Sequence, residues 1–155
     1  MAFNESLMGT VYHQVDEKGR VRIPSKFFPR EEEEDDKAEK SFAMKFYFMA
    51  GTQGCISVYL KEALDSRLMR MRNVPDSSEK VANAKRKIMS SIEKVETDKQ
   101  GRAVIPPALR QYAGINKELV SVGVDDHFEI WSKEVYDKMD AGMSFSSAYD
   151  EVGFF

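Results

Sequence analysis

The chain has 155 residues, 42% of them hydrophobic, including ten Phe, six Tyr and one Trp, which suffices for one good core or two half-cores sharing an interface. Its apolar runs, such as Phe46-Tyr47-Phe48-Met49-Ala50, fall far short of the roughly 20 residues of a membrane span, and a single cysteine with two histidines excludes an internal disulfide and any zinc-ligand spacing. The formal charge of −3 is concentrated in residues 31–40, where seven acids and two lysines give −5 and leave +2 for the rest, so a nucleic-acid partner is not excluded.

Residues 1–10 carry no basic region followed by an apolar core, so a cytoplasmic protein without a membrane partner is expected. No cofactor is expected either. In chain order, Val11, His13 and Val15 alternate with Tyr12 and Gln14. After the turn in VDEKGRVRIP (15–24), Val21 and Ile23 alternate with Arg20 and Arg22. This pattern predicts a hairpin, with Gly19 as the φ > 0 residue of its turn. The acidic run 31–40 repels itself and predicts a solvated loop. Two strands follow, broken at Gly51-Thr52-Gln53-Gly54, with Cys55 as packing.

Helices are predicted over 61–72 and 77–92, separated by Asn73-Val74-Pro75-Asp76 and capped by Ser77 or Ser78. Val81, Ala84, Ile88 and Ile92 form a stripe read as core, opposite Lys80, Lys85, Arg86 and Lys87. Next comes TDKQGRAVIP (97–106), which repeats the earlier turn, with Gly101 in the role of Gly19. Pro106-Pro107-Ala108-Leu109-Arg110-Gln111-Tyr112 reads as a short helix ending before Gly114. Two strands broken at Val124-Asp125-Asp126 and a helix from near Lys133 complete the pattern. Residues 141–155 read as weakly ordered or dependent on a partner.

The two turns lie 82 positions apart and share Asp, Gly, Arg, Ile and Pro. Removing residues 31–40 lowers the offset to 72. Lys45 then meets Lys117, Gly51 meets Gly123, Lys61-Glu62 and Asp65 meet Lys133-Glu134 and Asp137, and Ile56-Ser57-Val58-Tyr59 faces Phe128-Glu129-Ile130-Trp131. The chain thus reads as a duplication with an acidic insertion in its first copy.

In each turn the Asp can accept turn amides and the Arg can close onto it. That arrangement is either purely structural, although a weak surface ion pair is a poor reason for an Arg, or it orients a guanidinium toward a phosphate or a guanine edge. Strand alternation puts Arg20 and Arg22 on one face, and Arg102 and Val104 on the equivalent face. Lys18 and Lys99 lie within the turns. One Arg and a nearby Lys per copy make a small cationic patch, so specific binding calls for multiplication by assembly. No phosphate loop, nucleophile–His–acid set or metal cluster is present, and Asp16 and Asp98 are better turn formers than an acid–base pair. An enzyme is therefore not expected.

VDEKGRVRIP, taken with TDKQGRAVIPPALRQYAGINKELVSVGVDDHFEIW, closely resembles the MraZ family of bacterial regulators, within the AbrB-like (SpoVT/AbrB) superfamily of swapped-hairpin barrels. The resemblance implies an α+β, mainly β fold in which two tandem half-units form an internal pseudo-dimeric barrel with flanking helices: 7–64, a helical connection 65–91, 92–137, and a tail 138–155. It implies a DNA-binding repressor of the cell-division and cell-wall gene cluster and of its own promoter, active in the nucleoid as a ring on short direct repeats of double-stranded DNA. The family's DxxxR motifs fall on Asp16–Arg20 and Asp98–Arg102. Arg20 and Arg102 would be DNA contacts, Lys18, Arg22 and Lys99 auxiliary contacts, and Asp16, Gly19, Asp98 and Gly101 supports. The alternative is a non-catalytic assembly module whose DxxxR turns are structural. The acidic run could recruit a partner or cover the basic face.

Overall fold

The computed structural model describes residues 5–29 and 43–155; the acidic run 31–40 lies outside the described residues. Eight strands appear in chain order: β1 (Thr10–Gln14), β2 (Arg20–Arg22), β3 (Lys45–Ala50), β4 (Ile56–Tyr59), β5 (Glu93–Glu96), β6 (Arg102–Val104), β7 (Glu118–Gly123) and β8 (Phe128–Ser132). The helices are α1 (Lys61–Arg72) and α2 (Glu79–Ser91) before β5, α3 (Pro107–Ala113) between β6 and β7, and α4 (Lys133–Ala141) and α5 (Phe145–Val152) at the end. The fold is mixed α/β and sheet-rich. A six-stranded antiparallel sheet runs β1-β7-β8-β4-β3-β5, and β2 pairs with β6 in a separate ribbon.

Two expectations change here. The alternation around the first turn predicted a hairpin, yet β1 and β2 do not pair: β1 joins β7, and β2 joins β6. Only the turn is closed locally, by Asp16 N–H donating to Arg20 O at 2.9 Å. Beyond it the strands leave for different partners. The other change concerns closure. The described strands make an open sheet with β1 and β5 at its two edges, not a closed barrel.

The pairing has an internal symmetry. In the ribbon Arg20 faces Val104 and Arg22 faces Arg102, centred on Val21–Ala103. In the sheet Ile56 faces Ile130 and Val58 faces Phe128, centred on Ser57–Glu129. Each ladder maps onto itself when the chain halves are exchanged. Likewise β1 pairs with β7 of the other half as β5 pairs with β3. The register also corrects the alignment of β3. Tyr47 pairs Lys94 and Tyr59 where Val120 pairs Tyr12 and Trp131, so by ladder position Lys45 corresponds to Glu118, not Lys117, and Ala50 to Gly123. The match returns to its former spacing in β4 and β8 because residues 51–55 span one position more than 124–127.

The main core gathers the inward side chains of both halves. Val21, Ile23 and Phe27 follow the first turn, Ala103, Ile105 and Leu109 the second, and Phe46, Phe48, Ile56, Val58, Phe128 and Ile130 come from the sheet. A smaller cluster of Cys55, Val120, Trp131 and Tyr136 fills the opposite face. Cys55 is buried as expected, and burial pushes its thiol up to about 12. The predicted α2 stripe behaves differently: α2 has no buried residue and Ile88 is 40% exposed. Along the stripe Val81 and Ile92 are half-buried, while Ala84 and Ile88 stay exposed. The tail departs from the weak order expected of it, forming α5 with Ser144 capping through Ser147 N–H and Gly153 ending it at φ +63.

A pH dependence arises at β1. His13 Nε2 lies 2.7 Å from Ser121 Oγ, and burial lowers the imidazole to about 4 from 6.5. The folded chain therefore resists protonation, so the stability contributed by neutral His13 is present above pH 6.5 and lost as pH falls toward 4. At about 1.4 kcal/mol per unit the loss is at most roughly 3.5 kcal/mol, less for the part of the ring that solvent reaches. His127 has the opposite sign, its pKa being raised, and is protonated in both states through most of this window. Melting temperature should fall between pH 6.5 and 4.5, and more steeply in the parent than in His13→Gln; equal slopes would contradict the assignment.

Candidate nucleic-acid interface

Both turns are built alike. Asp16 Oδ1 accepts the amides of Lys18 and Arg20, each at 2.9 Å, and Oδ2 accepts Arg20 Nε at 2.7 Å. Asp98 Oδ1 accepts the amides of Gln100 and Arg102, each at 2.9 Å, and Oδ2 accepts Arg102 Nε at 2.8 Å. Gly19 and Gly101 both adopt φ +76. The Arg20 amide, with the Arg20 guanidinium and Lys18 amide, holds the Asp16 carboxyl below its usual range. The Arg102 amide, then the Gln100 amide and the Arg102 guanidinium, does the same for Asp98. An ionised Asp therefore fixes each guanidinium through Nε. Among the described residues the two Nη nitrogens of each carry no protein hydrogen bond, leaving a planar two-donor edge suited to phosphate or to guanine O6 and N7.

The ribbon puts these edges on one surface. Val21 and Ala103 point into the core, so Arg20, Arg22, Arg102 and Val104 share the outer face. The turns sit at opposite ends of the ribbon, since Arg20 and Arg102 start antiparallel strands two positions apart in register, about 7 Å along the strand. Each strand is anchored at the far turn, with Ile23 N–H donating to Gly101 O at 3.0 Å and Ile105 N–H to Gly19 O at 3.1 Å. Arg22 lies directly opposite Arg102 and donates through Nη1 to Gln100 O at 3.0 Å. Lys18 and Lys99 are exposed within the turns. All five predicted cations thus meet on one ribbon and its two turns.

Sequence reasoning missed Arg110. Its Nη1 lies 3.5 Å from where a Cβ on Gly19 would be, while Nε donates to Ile115 O at 3.0 Å and Nη2 to Asn116 O. Phe28 takes the corresponding place beside Gly101, with Cε2 3.3 Å from the Cβ position. The signal was present in the 82-residue offset, which puts Arg110 against Phe28, but it made sense only once each turn was seen packing on the other half. The glycines should therefore differ in tolerance. Alanine at either strains the φ > 0 backbone by about 1 kcal/mol, and Gly101→Ala must also displace the Phe28 ring. Thermal melts should show the larger loss for Gly101→Ala; the reverse order would contradict this packing.

Residues 88–151 match a family model described as "MraZ protein, putative antitoxin-like". A protein of Lachnoclostridium phytofermentans named transcriptional regulator MraZ is 38% identical, covering 86% of this chain and 89% of its own. Proteins of the same name from Syntrophomonas wolfei and Acetivibrio thermocellus are 33% and 32% identical, covering 94% and 93% of this chain and 92% and 94% of their own. The chain belongs to the MraZ family. Among the described residues no helix is long and apolar enough to cross a membrane.

Proposed function

We propose that this chain is a non-catalytic, sequence-specific DNA-binding transcriptional repressor that uses its two DxxxR turns as paired contacts. The observation that carries the reading is the β2–β6 ladder, which sets Arg20, Arg22 and Arg102 on one outer face with each DxxxR arginine held through Nε. Arg20 and Arg102 contact the DNA, with Lys18, Arg22 and Lys99 as neighbouring phosphate contacts and Asp16, Gly19, Asp98 and Gly101 as supports. The half-units 7–64 and 92–137 act as a strand-exchanged pseudo-dimer of the swapped-hairpin kind, joined by 65–91 and followed by the tail 138–155. The exchanged pairing of β1 and β5 supports this.

A few cations per chain give too little affinity for tight, selective binding. Copies therefore assemble into a ring on consecutive short direct repeats, in the nucleoid, at the promoter of the cell-division and cell-wall cluster and of the chain's own gene. The names of the relatives support the regulatory part of this reading. Selecting fragments of the source genome bound by the full chain tests it. Enrichment of a repeated short word upstream of that cluster is expected, and recovery of fragments without a common word would contradict it.

A further inference from the structure

Two apolar surfaces serve neither the ribbon nor the core. The first is a groove of about 520 Å³ on the outer side of β3 and β4, walled by Met49, Leu64, Leu68, Met71 and Ile88. Ile88, an exposed residue of the α2 stripe, lines it together with Leu64, Leu68 and Met71 of α1. Its polar floor is already satisfied. His127 stacks on Tyr59 at 4.7 Å, with Nδ1 2.8 Å from Asp126 Oδ1, and Arg67 Nη1 donates to Asp126 Oδ2 at 2.9 Å. Burial pulls the His127 pKa down, but its hydrogen bonds to Glu129 and Asp126 outweigh that and leave it raised. Among the described residues no buried side-chain polar atom lacks a partner, so the groove offers an occupant apolar wall and no orphaned polar group.

The second surface is the tail. α5 has no buried residue, yet Phe145, Phe154 and Phe155 are 83%, 68% and 96% exposed. These rings are gathered and not splayed. Gly153 turns the chain back so that Phe154 N–H donates to Tyr149 O at 3.0 Å. Tyr149 then sits 6.5 Å from Phe145, 5.4 Å from Phe154 and 4.8 Å from Phe155. A pre-assembled aromatic knob loses little conformational freedom on docking, and one left in water is a contact surface without its partner.

We propose that the aromatic knob of one copy docks in the α1–α2 groove of a second copy, a head-to-tail contact between unlike surfaces. Charge selects this occupant. Residues 61–91 carry eight Lys or Arg against four Asp or Glu, a net +4, whereas residues 139–155 carry Asp140, Asp150 and Glu151 and no basic residue, a net −3. Size agrees as well. With Tyr149 39% and Phe154 68% exposed, the four rings can bury at most roughly 600 Å² at about 200 Å² per fully exposed ring, most of the ~800 Å² per partner of a standard interface. Because the two surfaces differ, each copy offers one knob and one groove, and the contact propagates until a ring closes. The inference rests on the assembly part of the proposed function and not on the arginine turns.

Sedimentation velocity on the full chain tests it with a knob variant (Phe145→Ser with Phe155→Ser) and a groove variant (Met71→Glu with Ile88→Glu). Each alone should need at least about tenfold more protein than the parent to assemble, the loss typical of a central aromatic anchor. An equimolar mixture should give a two-chain complex, since one intact knob meets one intact groove. Ile88→Gln alone, on an exposed helix face, serves as a milder groove variant if thermal melts show the first to be unfolded. Assembly of either variant at parental concentration, or a mixture that stays single-chain, overturns the contact. A single-chain parent overturns both the contact and the ring, while DNA binding through Arg20 and Arg102 is judged separately on one repeat.

Discussion

Replacing Arg20 and Arg102 together by alanine is expected to lower affinity for repeat DNA at least about a hundredfold and to move the melting temperature by no more than a few degrees. The size follows from what each arginine can still offer. With Nε held by Asp16 or Asp98 at 2.7 or 2.8 Å, the Nη edge can make a two-point contact, and such pairs discriminate by roughly 1–3 kcal/mol each. Two per chain, multiplied over linked copies, exceed the product of single losses. The fold should barely change. The Asp carboxylates keep their bonds to the amides of Lys18 and Arg20, or of Gln100 and Arg102, and these close the turns without the guanidinium. Arg22→Ala should cost less than Arg102→Ala, and Lys18→Ala and Lys99→Ala less again, because exposed lysines contribute charge without orientation. Equal affinities for the parent and the double variant by fluorescence anisotropy would remove DNA contact from the turns. Loss of folding in both single variants would make the Asp–Arg bonds structural.

The other large effect lies in the core. Phe128→Ala is expected to cost about 3–5 kcal/mol, and at roughly 2–4 °C per kcal/mol for a chain of this size to lower the melting temperature by about 6–20 °C. Phe128 is fully buried, stacked on Phe27 at 5.0 Å and edge-on to Phe46 at 6.1 Å. Phe27 comes from the segment after the first turn, Phe46 from β3 and Phe128 from β8, so one ring joins elements of both halves. Removing it leaves a cavity that three differently anchored elements cannot jointly close. Phe128→Leu, which keeps much of the volume, should cost distinctly less. Urea denaturation distinguishes a cavity from a rearrangement: the midpoint should fall with an unchanged slope. A shift of only a degree or two would mean that the ring is not the joint between the halves.

The turns were legible because their chemistry is local. Asp accepting the amides of the next residues, Gly at positive φ and Arg returning to Asp are all fixed within five residues, and both copies fold as that chemistry requires. Alternation likewise identified Val21 and Ile23 as inward and Arg20 and Arg22 as outward. Pairing was not legible. A period of two says which residues share a face but not which strand completes the ladder, so β1 and β2 read as a hairpin when each pairs across the halves. The offset of 72 failed in β3 for a related reason: Lys45 and Lys117 are identical residues, while backbone register, set by one extra residue before β4, makes Glu118 the counterpart of Lys45. The α2 stripe shows the remaining limit. Val81, Ala84, Ile88 and Ile92 do have helical spacing, but periodicity reports that a face needs cover and not whether the same chain supplies it. The acidic run 31–40 lies outside the described residues, and its deletion would show whether it competes with DNA.

The dependence of DNA affinity on salt tests most directly whether the two turns act together on one duplex. For the parent, the logarithm of the binding constant should fall linearly with the logarithm of salt concentration, and each phosphate that a variant no longer neutralises should reduce the slope by about 0.9. Measured on the same repeat duplex, the double variant Arg20→Ala with Arg102→Ala should show a slope shallower by up to about two per bound chain, together with weaker binding at every salt concentration. A parent whose affinity does not depend on salt, or a double variant that keeps both the parental slope and the parental affinity, would contradict paired DNA contacts at these turns.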